Sequence, residues 1–275
     1  MFTIEQFLQG KYNDPLVCED RIVVSENLVA VIDGASAKGT RLWNNTKSGK
    51  FASNVLGDYI ESNSDQLISC SVQECFSRLT EVLHSRIEEL AGNDRLDIRD
   101  YPRASVIIYN DAVKEVWSYG DCQCMIGGKL YSFKKDVDRL NNALRSFTLE
   151  LAILQGATLA ELQENDVGRE VIRHNLETQF YFENKQMAFG YPVLNGLNYN
   201  PNMATVYPVL SGDVVILASD GYPRLMPTLA ESEEQLRFLL GKDPLCFREN
   251  SSTKGLMPGM TSFDDRAYWR GIASF

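Results

Sequence analysis

The sequence predicts an α+β protein, and three observations carry that expectation. Apolar residues recur first in strand-like runs, then at helical spacing, then in runs again, ordered as strands, two helices, strands, two helices, strands. No linker, repeat or low-complexity tract divides the 275 residues. The acids that stand at strand ends are spread from Glu19 to Asp265, so both ends of the chain must meet if those acids serve one site. One domain over residues 1–275 is the economical organisation.

The organising stretch is 29–34, VAVIDG, a continuous apolar run that suits a strand covered on both faces and that ends in an acid and a glycine. Upstream, an Asn-Asp-Pro turn at 13–15 precedes 16–24, read as a strand carrying Glu19 and Asp20 in its middle. Residues 35–47 form a polar loop with Lys38, Arg41 and Lys47. Helical spacing follows over 48–60 and again over 72–90, where Gly92-Asn93 ends it. Strands are expected at 104–109, 113–119 and 123–126, the last turning at Gly127-Gly128 into 130–133. Gly120-Asp121 puts another acid at a strand boundary.

Residues 137–151 return to helical period, and Asp166 is the N-cap of a further helix. The stretch 183–202 reads as an irregular loop. Strands resume at 205–210 and 214–218, the latter running into Ser219-Asp220-Gly221. Ser232 with Gln235 makes a capping box for a helix ending near Gly241, and Asp264-Asp265 precedes a last strand at 267–272.

A net charge of −10 argues against nucleic acid or an anionic membrane as partner. No apolar run approaches the roughly 20 residues of a membrane span. The start, MFTIEQFLQG, lacks a basic-then-apolar signal pattern, so a cytoplasmic protein is expected. The six cysteines are scattered without framework spacing, and neither close pair has a matching partner pair for a zinc site.

Carboxylates gathered in one cleft repel, by up to about 4 kcal/mol per pair near 4 Å at an effective dielectric of about 20. Protons or cations must neutralise them. Oxygen ligands without neighbouring His or Cys favour Mg²⁺ or Mn²⁺ over zinc. Two such ions would lower the pKa of a shared water, the nucleophile for a phosphoryl group.

The set Glu19-Asp20, Asp33-Gly34, Gly120-Asp121, Ser219-Asp220-Gly221 and Asp264-Asp265, in this order over nearly the whole chain, resembles the metal-dependent serine/threonine phosphatases of the protein phosphatase 2C type, in a divergent, bacterial-like form. The resemblance implies a four-layer α-β-β-α sandwich: two mainly antiparallel sheets, flanked by helix pairs, with two Mn²⁺ or Mg²⁺ ions in a cleft at one end. It implies that Asp33 bridges both ions, that the Gly34 carbonyl and Glu19 serve the first, and that Asp220 and Asp264 serve the second. Asp121 would be a weak ligand or structural, and Asp20 and Asp265 would support the ligands. The segment 134–202 takes the place of a flap beside the cleft. The implied activity is hydrolysis of phosphoserine or phosphothreonine on proteins through the metal-activated water, the partner being a phosphorylated kinase or kinase substrate.

The pattern departs from the family in three places. Ala35 stands where a histidine usually follows Asp-Gly, Pro15 falls where a phosphate-binding arginine is expected, and Arg224 replaces an acid that would serve a third metal. Lys38 or Arg41 would then contact phosphate, and Arg224 would contact phosphate or pair with Asp121. His84 and His174 sit on helices as surface or packing residues rather than as acids for catalysis. The alternatives are a pseudophosphatase that senses phosphate or binds a partner, and a phosphatase of small phosphorylated metabolites.

Overall fold

The computed structural model describes residues 1–12, 14–36 and 38–275; the expected turn at 13–15 includes Asn13, which lies outside them. Ten strands form two antiparallel five-stranded sheets. One sheet takes β2 (Arg21–Val24), β3 (Leu28–Gly34), β4 (Ala104–Asn110), β5 (Glu115–Tyr119) and β8 (Thr205–Pro208), adjacent in that order. The other has the order β1 (Phe2–Gln9), β10 (Arg266–Ile272), β9 (Val214–Ala218), β6 (Gln123–Ile126) and β7 (Lys129–Ser132).

The apolar run of β3 is explained by burial on both faces. Val29 and Val31 pack with Ile107, Leu217 and Trp269 between the sheets. Ala30 and Ile32 point the other way, onto α1 (Ser48–Ser62) and α3 (Val72–Ala91), through Phe51, Leu56, Phe76 and Leu79. The short α2 (Ser64–Leu67) joins these helices. Gly92 ends α3 at φ +57°, and Gly127-Gly128 turn the β6–β7 hairpin, both glycines at positive φ.

The remaining helices are α4 (Asp136–Leu154), α5 (Leu159–Glu164), α6 (Val167–Thr178) and α7 (Leu229–Lys242). Helices α4 and α6 pack on one another, pinned by the fully buried Arg145 of α4. Its guanidinium bonds Asp166 at 2.7 and 2.9 Å and donates to the carbonyls of Leu245, Cys246 and Ser252. Asp166 caps α6 as expected, accepting from the Arg169 N–H at 2.8 Å. Among the described residues no helix is long and apolar enough to cross a membrane.

Four local expectations are corrected. The first residues, to which the sequence reading assigns no element, are a full strand, β1. Only Arg21–Val24 of the 16–24 stretch is strand; Glu19 and Asp20 precede it, because their backbone is taken up by other segments of the chain. Helix α5, with a Thr158–Glu161 capping box, lies in a stretch where no separate helix is expected. The box of α7 is Thr228 with Glu231, one turn before the expected pair; Ser232 Oγ instead bonds the Met226 N–H and the Thr228 carbonyl.

Candidate metal and phosphate site

The two Asp-Gly pairs are docking points. A Cβ on Gly34 would lie 2.6 Å from the Glu19 carbonyl oxygen and 2.3 Å from that of Gly49. A Cβ on Gly221 would lie 2.0 Å from the Asp265 carbonyl oxygen. Glycine at these two places lets the Glu19 segment close on the end of β3 and the Asp265 segment close on the end of β9. Asp265 ties the arrangement together: its carboxylate accepts from the N–H groups of Lys11 (2.7 Å) and Glu19 (2.9 Å). Acids far apart in sequence are thereby held in and under one cleft.

That cleft is lined by Asp33, Gly34, Asp121, Asp220 and Asp264 from the expected set, with Lys38. Asp138 of α4 also lines the cleft without an ion pair among the described residues, and of the expected acids in it Asp33 and Asp220 are the unpaired ones. Among the described residues neither carboxylate makes a hydrogen bond or an ion pair. Burial, then Asp220 and the neighbouring Asp20, raise the Asp33 carboxyl well above its usual range. Asp220 remains solvent-accessible at the cleft, so the surrounding protein rather than full enclosure desolvates it. That desolvation, with Asp121 and Asp264, lifts it to about 7. Behind them, Glu19 and Asp20 are buried, and Glu19 Oε1 and Asp20 Oδ2 have no hydrogen-bond partner.

The other acids are held by lysines that sequence reasoning missed. Lys254 Nζ lies 2.5 Å from Asp264 and Lys135 Nζ 2.5 Å from Asp121. Lys11 Nζ reaches Glu19 and Asp265, each at 3.2 Å, and Asp264 at 3.8 Å. Burial alone would raise the Asp264 and Asp121 carboxyls; Lys254 and Lys11 on one, and Lys135 on the other, bring both below the ordinary value. No helix or strand spacing relates these pairs, which form only once intervening turns, the β6–β7 hairpin and the meeting of Lys11 with Asp264 and Asp265 bring them together.

The cleft is also lined by Lys38 and by Arg169 of α6. Arg169 donates to the Thr253 carbonyl at 2.6 Å. Lys38 makes no hydrogen bond or ion pair among the described residues, and burial, with the charges of Arg169 and Lys254, lowers it to about 8. Arg41 does not line the cleft. Its guanidinium bonds Asp94 at 3.0 Å and the Leu90 carbonyl at 3.1 Å, at the end of α3. Arg224 is exposed, and the cation on Asp121 is Lys135 instead. His84 and His174 are exposed on α3 and α6.

No protein-family model and no curated protein matches the sequence. Among solved structures, the chain is similar to the serine/threonine phosphatase PstP/Ppp of Mycobacterium tuberculosis at 15% identity and TM-score 0.52, covering all of both chains. The catalytic domain of PstP in complex with two manganese ions matches at 14% identity and TM-score 0.51, again over all of both chains. The fold is that of the serine/threonine phosphatases. Stp1 of Staphylococcus aureus agrees, at 14% identity and TM-score 0.50, with 100% of this chain and 96% of that one covered.

The residues of the cleft could hold a divalent cation at one place and oppose it at another. Among the described residues, no three His, Cys, Asp or Glu side chains converge as a metal-binding group. Mg²⁺-like ions need fewer, since one or two carboxylates with waters suffice. Asp33 and Asp220, both without a donor or an ion-paired cation among the described residues, could meet that need, and Glu19 Oε1 and Asp20 Oδ2 nearby are buried without a partner. Asp264 does not fit in the same way, because a lysine already holds it.

Proposed function

We propose that this chain is a divalent-cation-dependent phosphomonoester hydrolase acting on phosphoserine or phosphothreonine of proteins. The observation that carries the reading is one cleft in which Asp33 and Asp220, carboxylates without an ion pair among the described residues, are lining residues together with the cations Lys38 and Arg169. The phosphatase fold supports it. A Mn²⁺ or Mg²⁺ ion held by Asp33, Asp220 and the Gly34 carbonyl would polarise the phosphoryl group and lower the pKa of water.

The chain's own groups do the rest. Lys38, free of any ion pair, and Arg169, anchored on Thr253, receive the non-bridging phosphate oxygens. Asp264 and Lys254 form the wall beside them. The partner is a phosphorylated protein, either a kinase or a kinase substrate, approaching past the 134–202 segment, which serves as flap. A cytoplasmic setting goes with this reading, in keeping with six free cysteines.

The test is phosphate release from an aryl phosphate and from a phosphothreonine peptide, with Mn²⁺, with Mg²⁺ and with chelator. Turnover that requires the ion and disappears in Asp33→Asn is the expected result. Ion-independent turnover, or retained turnover by Asp33→Asn at saturating Mn²⁺, would sink the assignment. The lysines on Asp121 and Asp264 favour a second reading, a phosphate-sensing module without turnover. Phosphopeptide binding with no phosphate release under any metal would establish it.

A further inference from the structure

The resemblance assigns Asp264 to a second divalent ion, shared with Asp220. In this chain both Asp264 oxygens are already engaged. Oδ2 meets Lys254 Nζ at 2.5 Å, and Oδ1 accepts the Asp265 N–H at 3.0 Å with Lys11 Nζ at 3.8 Å. Glu19 is half committed as well: Oε2 is held by Ser36 Oγ at 2.8 Å and Lys11 Nζ at 3.2 Å.

Neither ammonium is there by the chance of a loose side chain. The Lys11 backbone is fixed on both sides, its N–H on Asp265 at 2.7 Å and its carbonyl on the Thr261 N–H at 2.8 Å. Lys254 rides on a loop that Arg145 holds by the Ser252 carbonyl at 2.9 Å and Arg169 by the Thr253 carbonyl at 2.6 Å. Both side chains are mostly buried, at 12% and 25% exposure. A divalent ion on Asp264 would have to displace a buried ammonium or sit against it, and like charges in so dry a place repel strongly. Neither Asp33 nor Asp220 has a cation within ion-pair distance among the described residues, and Asp20 Oδ2 is buried without a partner near them.

We propose that this chain holds one divalent ion, at Asp33 and Asp220, and that the Lys254 ammonium, backed by Lys11, stands in for the second. The inference rests on the metal-dependent reading of the cleft. Lys254 lines the cleft beside Asp220 and Asp264, where a fixed ammonium can donate to a phosphoryl oxygen. One of the two positive centres is thus part of the chain and does not depend on the supply of metal.

The experiment is a Mn²⁺ titration of the full chain, read by bound metal per chain and by electron paramagnetic resonance. Wild type should bind one ion and give the spectrum of an isolated Mn²⁺. Lys254→Met, or Lys11→Met with Lys254→Met, should bind a second ion and show an exchange-coupled pair. Lys254→Gln repeats the test with a polar side chain should the Met variants fail to fold, as judged by circular dichroism. Two coupled ions in wild type would overturn the inference and leave the phosphatase reading standing. No bound ion in wild type would overturn both. Failure of every folded lysine variant to gain a second ion would overturn the substitution of ammonium for metal.

Discussion

Replacing Arg145 by Met tests whether the segment beside the cleft is held by one buried cation. The side chain is fully buried and makes five hydrogen bonds: two to Asp166 and three to the carbonyls of Leu245, Cys246 and Ser252. Met fills much of the volume but supplies no donor. It leaves the Asp166 carboxylate buried without its cation. Removing one partner of a buried pair costs about 3–5 kcal/mol, most of it the penalty of the charge left behind.

Equilibrium unfolding in urea reads this directly. At a slope of about 2–3 kcal/mol/M, the midpoint should fall by about 1–2 M. Asp166→Asn added to Arg145→Met removes the orphaned charge and keeps an α6 cap, so the double variant should be more stable than Arg145→Met alone. A loss below about 1 kcal/mol, or a double variant no better than the single, would refute the idea that a dry ion pair pins this segment.

Four further outcomes follow, three from the cleft and one from α7. Asp220 holds its proton to about 7 in the folded chain against 3.8 in the unfolded one. Between those values the unfolded state binds fewer protons, so metal-free stability should fall as pH rises through that window and recover in saturating Mn²⁺. Thermal melts with and without Mn²⁺ check it, and Asp33→Asn should flatten both effects. Lys38 is charged below about 8 and neutral above it. Competitive inhibition by phosphate should therefore weaken as pH rises through that value, and Lys38→Met should inhibit weakly and evenly across the range. Gly221→Ala forces a Cβ to 2.0 Å from the Asp265 carbonyl and should abolish Mn²⁺ binding or folding. Gly241→Ala, with open space around its Cβ near the end of α7, should stabilise by about 0.5–1 kcal/mol in the same unfolding assay.

What was legible in the sequence is what local patterning encodes. The β3 run, the Gly127-Gly128 turn and the Asp166 cap each owe their form to neighbours in sequence, so spacing sufficed. Strand β1 escaped notice because it lies at the edge of its sheet, where the apolar Phe2, Ile4 and Leu8 are exposed and the polar Glu5 and Gln9 half-buried, so hydrophobicity does not follow the strand period. The acids were visible as strand-end residues. Their counterions were not: Lys11, Lys135 and Lys254 look like ordinary surface lysines until folding carries them to Glu19, Asp121 and Asp264. Arg41 misled for the converse reason, since it sits in the expected loop but turns back to the end of α3.

The place of β10 has a kinetic consequence. This strand comes last in the chain yet lies between β1 and β9, pairing with the first strand across almost the whole sequence. A nascent chain emerging from the ribosome can assemble β2–β5 and their helices early, but the other sheet stays open in the middle until β10 is out. Until then β1 has no partner strand and one side of β9 is unpaired, surfaces open to pairing with another chain. The Asp265 clamp arrives with that same strand. The cleft that holds Asp33 and Asp220 is therefore completed only when β10 pairs, and closure of this sheet is the late step in its assembly.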